Sequence, residues 1–137
     1  MVYNNYNGII IMDYKNIDYN KLYEDVLRTD PRIRLVTICD LDGRVMYSEH
    51  RQGVKNLLTP EESKKSLELA INAWMKRRQL APKIGKGKYV LAEYEKIKRI
   101  TMPLGDSHLL YITTEVEADH LNIISKVSGL VIRKLLL

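Results

Sequence analysis

Thr59–Leu80 reads TPEESKKSLELAINAWMKRRQL, and its periodicity decides what the rest of the chain must do. Leu67, Ala70, Ile71, Trp74 and Met75 recur at helical spacing and form one apolar stripe. Lys64, Lys65, Glu68, Asn72 and Lys76 fall on the opposite face and should meet water. Thr59, followed three residues later by Glu62, is a capping-box pattern, and Pro60 sits in the first turn, where its missing N–H is tolerated. Burying the large stripe side chains contributes about 1.5–3 kcal/mol each before conformational entropy is subtracted. Such a helix needs a sheet or a second helix to cover, and the segments on both sides of it read as strands.

Working upstream, Arg32–Asp40 (RIRLVTICD) puts Ile33, Leu35 and Cys39 on one side and Val36 and Ile38 on the other. Apolar residues on both faces predict a central strand covered twice. Asp40-Leu41-Asp42-Gly43 closes a hairpin, with Gly43 supplying the positive φ, and Arg44–Glu49 is the return strand. A short helix precedes them, capped by Asp18 or Asn20, with Leu22, Tyr23, Val26 and Leu27 on one face. It ends at Thr29-Asp30-Pro31, because a residue before proline avoids the helical region. Met1–Ile17, rich in Asn and Tyr, reads as an arm (residues 1–17) that orders only if Ile9–Met12 docks, leaving 18–137 as one domain.

Downstream, Pro82, Gly85 and Gly87 break the chain, and Lys88–Tyr94 with Ile97–Leu104 form a second hairpin. With Glu95-Lys96 as its loop, Glu93 opposes Lys98 and Leu91 opposes Ile100, a register that suits both charge and burial. Gly105-Asp106 turns into a fifth strand, Leu109–Thr114. Asp119–Leu137 is helical, but Ile123, Ile124, Val127, Leu130, Val131, Ile132, Leu135 and Leu136 exceed one stripe. Such a helix is either sandwiched in the core or shared with another subunit. The order α-β-β-α-β-β-β-α, with strands paired in hairpins, predicts an α+β fold built on a single five-stranded antiparallel sheet with flanking helices.

A chain of 137 residues with 45% apolar and 28% charged residues has the balance of a globular domain with a real core. One cysteine, Cys39, excludes an internal disulfide and suits a reducing, cytoplasmic setting. No apolar run approaches the roughly 18 residues of a membrane span, so no membrane insertion is expected. Charge is uneven. Lys76–Arg99 holds nine Lys or Arg against Glu93 and Glu95, a local +7 in a chain of net +5, so the remainder is at −2.

The chemistry-bearing residues do not assemble into a catalytic or cofactor motif. Asp40-x-Asp42-Gly43 resembles the start of a calcium loop, but its twelfth position, where a bidentate Glu belongs, is Arg51, so a hairpin turn is the better reading. Cys39, Asp40 and His50 could be imagined as nucleophile, orienter and base, yet Cys39 lies mid-strand in an apolar pattern, as an inert thiol does. His50, His108 and His120 lack the spacing of a zinc site. Gly85-Lys86-Gly87-Lys88 follows a helix and enters a strand, the reverse of a phosphate-binding P-loop, and reads as a connection. No cofactor, no metal and no enzymatic activity are therefore expected. Lys76, Arg77, Arg78, Lys83, Lys86, Lys88, Lys98 and Arg99 could converge as a patch for nucleic acid or another polyanion. Cations at a helix C-terminus also serve simply to complement its dipole, and aromatic interleaving is limited to Tyr89 and Tyr94.

The hairpin Ile33–Tyr47 with Asp42-Gly43 at its tip, the long helix, the three-strand meander and the final helix resemble the roadblock/LC7 family of the profilin-like group. The resemblance runs from about Asn20 to the C-terminus and rests on element order and the turn Asp42-Gly43-Arg44-Val45. The small-residue loop of GTPase-regulating members is absent from the sequence. PAS-like sensor domains have a similar sheet and aspartate-glycine turn. The stretch GKGKYVLAEYEKIKRITMPLG (residues 85–105) also resembles an uncharacterised family of small archaeal proteins.

The resemblance implies a non-enzymatic interaction module or regulatory scaffold that self-associates, with a protein partner of unknown identity. The over-apolar last helix assigns the homodimer surface to Ile123, Leu130, Val131 and Leu135. Two alternatives stand beside it. One is a PAS-like small-ligand sensor with a pocket at Tyr89, Leu91, Ile100 and Met102, and the other is nucleic-acid binding through the basic cluster.

Overall fold

The computed structural model describes residues 17–135 in full and the backbone of 3–6 and 9–12. Strands β1 (Tyr3–Tyr6) and β2 (Ile9–Met12) pair with each other in a two-stranded sheet, within the segment expected to be an arm. The rest of that arm, apart from Ile17, lies outside the described residues, as do Leu136 and Leu137. Ile17 itself packs against the main core.

Helix α1 (Tyr19–Leu27) begins at Asp18, whose side chain accepts from the Lys21 amide at 3.1 Å. Strands β3 (Ile33–Asp40) and β4 (Val45–His50) form the first hairpin. At its tip one carboxylate oxygen of Asp40 accepts from the amides of Asp42 and Arg44, both at 2.9 Å, while Gly43 takes φ +91°. The aspartates thus build a turn rather than a calcium loop. Helix α2 (Pro60–Arg78) carries the full capping box, with Thr59 and Glu62 each bonding the other's amide. A short helix, α3 (Ala81–Ile84), follows in the stretch expected to be broken.

Strands β5 (Val90–Glu93), β6 (Ile97–Leu104) and β7 (His108–Glu115) complete an antiparallel sheet in the order β4-β3-β7-β6-β5. The register pairs Glu93 with Lys98 and Leu91 with Ile100, as charge and burial predicted. Helix α4 (His120–Leu135) closes the chain, its first turn held by Asp119, which accepts from the Asn122 amide at 3.1 Å.

The two faces of the sheet are unequal. On one, Val36, Ile38, Ile100, Met102, Leu104, Leu110 and Ile112 meet Leu22, Tyr23 and Val26 of α1 and Ile123, Ile124, Val127, Leu130 and Val131 of α4. Ile33 joins this core because the β3–β7 register shifts between Ile33 and Leu35, whereas Leu35 faces the other way. On the α2 face the apolar cluster is small: Cys39, Leu109, Ile71 and Trp74, bordered by Leu41, Leu67 and Val90, with Thr37, Thr101, Tyr111 and Thr113 also buried on that face. The expected stripe of α2 is therefore only partly used. Leu67 and Ala70 are half-buried because the sheet beneath the N-terminal half of α2 presents polar side chains, and Met75, beside the seated Trp74, is exposed.

Candidate functional site

The register explains that polarity. On the α2 face, one row across the strands runs Ala92, Arg99, Thr113, Leu35 and His50. The next runs Val90, Thr101, Tyr111, Thr37 and Ser48. The C-terminal half of α2 seats Ile71 and Trp74 on Cys39 and Leu109, and Gly87 lies flat on the indole, 3.4 Å from where its Cβ would stand. The N-terminal half bridges the polar rows and leaves a cleft of about 820 Å³ between helix and sheet.

Polar groups inside the cleft are mostly held. Ser66 and Tyr111 join α2 to β7 through a 2.8 Å hydroxyl contact, and burial raises the Tyr111 phenol above its ordinary pKa, keeping it protonated. Thr37 and Ser48 share a 2.7 Å hydrogen bond. Arg34 donates to Glu115 at 2.6 Å and to the Lys55 carbonyl at 2.8 Å. Arg99 lies over the rings of Tyr94 and Tyr111, its guanidinium carbon 5.4 and 6.0 Å from their centroids.

The residues singled out in the sequence are distributed differently from the expectation. Of the expected pocket, Ile100 and Met102 are packed under α1 and α4, Leu91 lies at the margin of that core and Tyr89 is exposed. The cleft is on the opposite face, beneath α2, because alternate residues of a strand point to opposite sides. Of the expected homodimer surface, Ile123, Leu130 and Val131 are buried within the chain and Leu135 packs at their edge. Their burial follows from α1 and the sheet together covering more of α4 than a single stripe.

The basic cluster divides in three. Lys76, Arg77, Arg78, Lys83, Lys86 and Lys88 are exposed around the end of α2. Lys98 is buried on the α4 face, donating to the Ala118 carbonyl at 2.9 Å and to Nδ1 of His120 at 3.0 Å. An ammonium only donates, so His120 carries its proton on Nε2 when neutral. Arg99 faces the cleft, so neighbouring cations on β6 leave the patch in opposite directions.

Cys39 is buried and burial pushes its thiol up to about 11, which leaves it a core residue rather than a nucleophile. Among the described residues, no three His, Cys, Asp or Glu side chains converge as a metal site requires, and no helix is long and apolar enough to cross a membrane. Sequence reading missed the cleft. The signal was present in the alternation of Thr37, Arg99, Thr101, Tyr111 and Thr113, polar residues at every second strand position.

A five-stranded antiparallel sheet with α1 and α4 on one face and α2 on the other defines the class of fold. Similar solved structures name it. A roadblock/LC7 domain from Streptomyces avermitilis superposes with a TM-score of 0.67 at 18% identity, covering 85% of this chain and 94% of that one. The gliding protein MglB of Thermus thermophilus gives 0.67 at 16% identity, over 82% and 81% of the two chains. A structure described as MglB with tetrameric arrangement gives 0.65 at 16%, over 84% and 86%. The fold is that of the roadblock/LC7 domain, as the element order led one to expect. No family model and no curated relative matches the sequence.

Proposed function

We propose that this chain is a non-enzymatic interaction and regulatory module that pairs with a second copy through the β5 edge of its sheet. The observation that carries it is an open edge strand with apolar side chains around it. Backbone pairing of β5 with β6 uses Val90, Ala92 and Tyr94, since the Tyr94 amide donates to the Ile97 carbonyl at 2.8 Å and hydrogen-bonded positions alternate. The amides of Leu91 and Glu93 therefore point outward, as in a strand ready to accept another. Ile84, 79% exposed, with Leu80, Tyr89 and Tyr94, supplies exposed apolar surface on the segments leading into and out of β5. The other edge, β4, is partly closed, because the Tyr23 hydroxyl donates to the His50 carbonyl at 3.1 Å.

An isologous β5–β5 contact would continue the sheet through both copies. The tetrameric arrangement described for MglB is a precedent for assembly on this fold. The exposed cations near the edge repel between copies, so salt should hold or raise the paired fraction.

Light scattering on size-exclusion fractions tests this. The intact chain is expected at twice its 16.0 kDa at low and high salt. Glu93→Pro, which removes an outward amide and leaves the β6 bonds, combined with Ile84→Lys should give a folded species at 16.0 kDa. A wild-type chain at the monomer mass in all conditions, or a pair that survives both substitutions, would sink the proposal.

A further inference from the structure

Two polar atoms in the α2 cleft lack hydrogen-bond partners among the described residues: Nε of Arg99 and Oγ1 of Thr113. They belong to register partners on β6 and β7, and both residues line the cleft. Thr113 is only 6% exposed. Native structures hold few buried polar atoms of this kind, and two on register partners that both line one cavity mark a place for an acceptor. Both groups can donate, Arg99 through its fixed N–H and Thr113 through a hydroxyl that rotates to suit.

Charge fixes the acceptor further. Arg34 is neutralised by Glu115, and Asp42, Arg44, Lys64 and Glu68 are exposed at the mouth of the cleft. Arg99 keeps its charge against two tyrosine faces, which attract the cation and remove water from it while adding no negative charge of their own. The interior is thus short of one negative charge. Apolar side chains stand among the polar ones: Leu35 follows Thr113 in the same row, and Leu58 and Leu67 line the cleft from the loop before α2 and from α2 itself.

We propose that the cleft binds a small aliphatic monocarboxylate, its carboxylate on Arg99 and Thr113 and its chain along Leu35, Leu58 and Leu67. An eight-carbon chain is about 10 Å long, roughly two inter-strand spacings, and so reaches from Arg99 to Leu35. Binding there requires no second copy, since the cleft is bordered by α2, β3, β4, β6 and β7, and no residue of β5 lines it.

The test is isothermal titration of the intact chain with sodium octanoate, and with 1-octanol as the neutral analogue. Octanoate should bind, and octanol should bind about tenfold more weakly or not at all, as loss of a charge-assisted hydrogen bond dictates. Arg99→Met should weaken octanoate by about tenfold or more, and Thr113→Val severalfold. Thr113→Val removes only an unpaired hydroxyl and should leave the fold intact, so it decides the matter if Arg99→Met fails to fold. Undetectable octanoate binding at millimolar concentration, equal binding of octanol, or unchanged affinity in Thr113→Val would each overturn the assignment. So would an apparent affinity that falls as protein concentration rises, which would place a second copy in the cleft.

Discussion

Arg51 holds three main-chain carbonyls at once, donating from Nε to Ile33 and from Nη2 to Leu27 and Asp30, each at 2.8 Å. It thereby ties the C-terminal end of α1 to the start of β3, satisfying acceptors that a helix end leaves open. Removing the guanidinium strands those acceptors, and Arg51→Met is expected to cost about 2–3 kcal/mol in urea unfolding. Arg51→Lys should recover only part of this, because an ammonium lacks the planar fork. An unchanged midpoint in Arg51→Met would show the carbonyls to be served by water instead. In the sequence Arg51 was visible only as the residue standing where a calcium loop wants Glu. Its role depends on three acceptors 18 to 24 positions away, and no local pattern encodes such a convergence.

Helices α1 and α4 are joined at their half-buried border by Asp25 and Lys134, 2.8 Å apart. The Lys134 hydrogen bond, ahead of its charge, holds the Asp25 carboxyl below its ordinary value of 3.8. A lowered folded pKa contributes stability that is present above the unfolded value and lost as pH falls through the folded one. Asp25→Asn should therefore lower stability by about 0.5–1 kcal/mol between pH 5 and 7, with the gap to wild type closing below pH 4. A gap that persists at pH 2 in thermal melts would assign the loss to packing. At this scale the sequence was informative about type and pairing: the capping box, the Gly43 turn and the Glu93–Lys98 register all stand in the structure. It was silent on the choice for α4. Excess apolar residues fit a sandwiched helix and a shared one equally well, and only the joint position of α1 and the sheet decides.

The molecule has a thick side and a thin side. The α1/α4 face holds nearly all of the large buried side chains, whereas α2 buries Ile71 and Trp74. Elements with few buried apolar contacts open locally below the global unfolding energy. Hydrogen exchange should accordingly find α2 amides exchanging well ahead of those of α4, in the absence of ligand or partner. Matching protection across both helices would contradict this two-sided stability. From sequence, the apolar stripe made α2 look like the centre of the fold, because periodicity measures how a helix could be buried and not what the facing strands offer it. Trp74, the chain's one tryptophan, sits at that seam, pressed against Gly87 and the Cys39–Leu109 floor. Nature has in effect installed a fluorophore at the joint: the colour of the protein's emission is a gauge of whether this helix is seated or lifted, readable with no label attached.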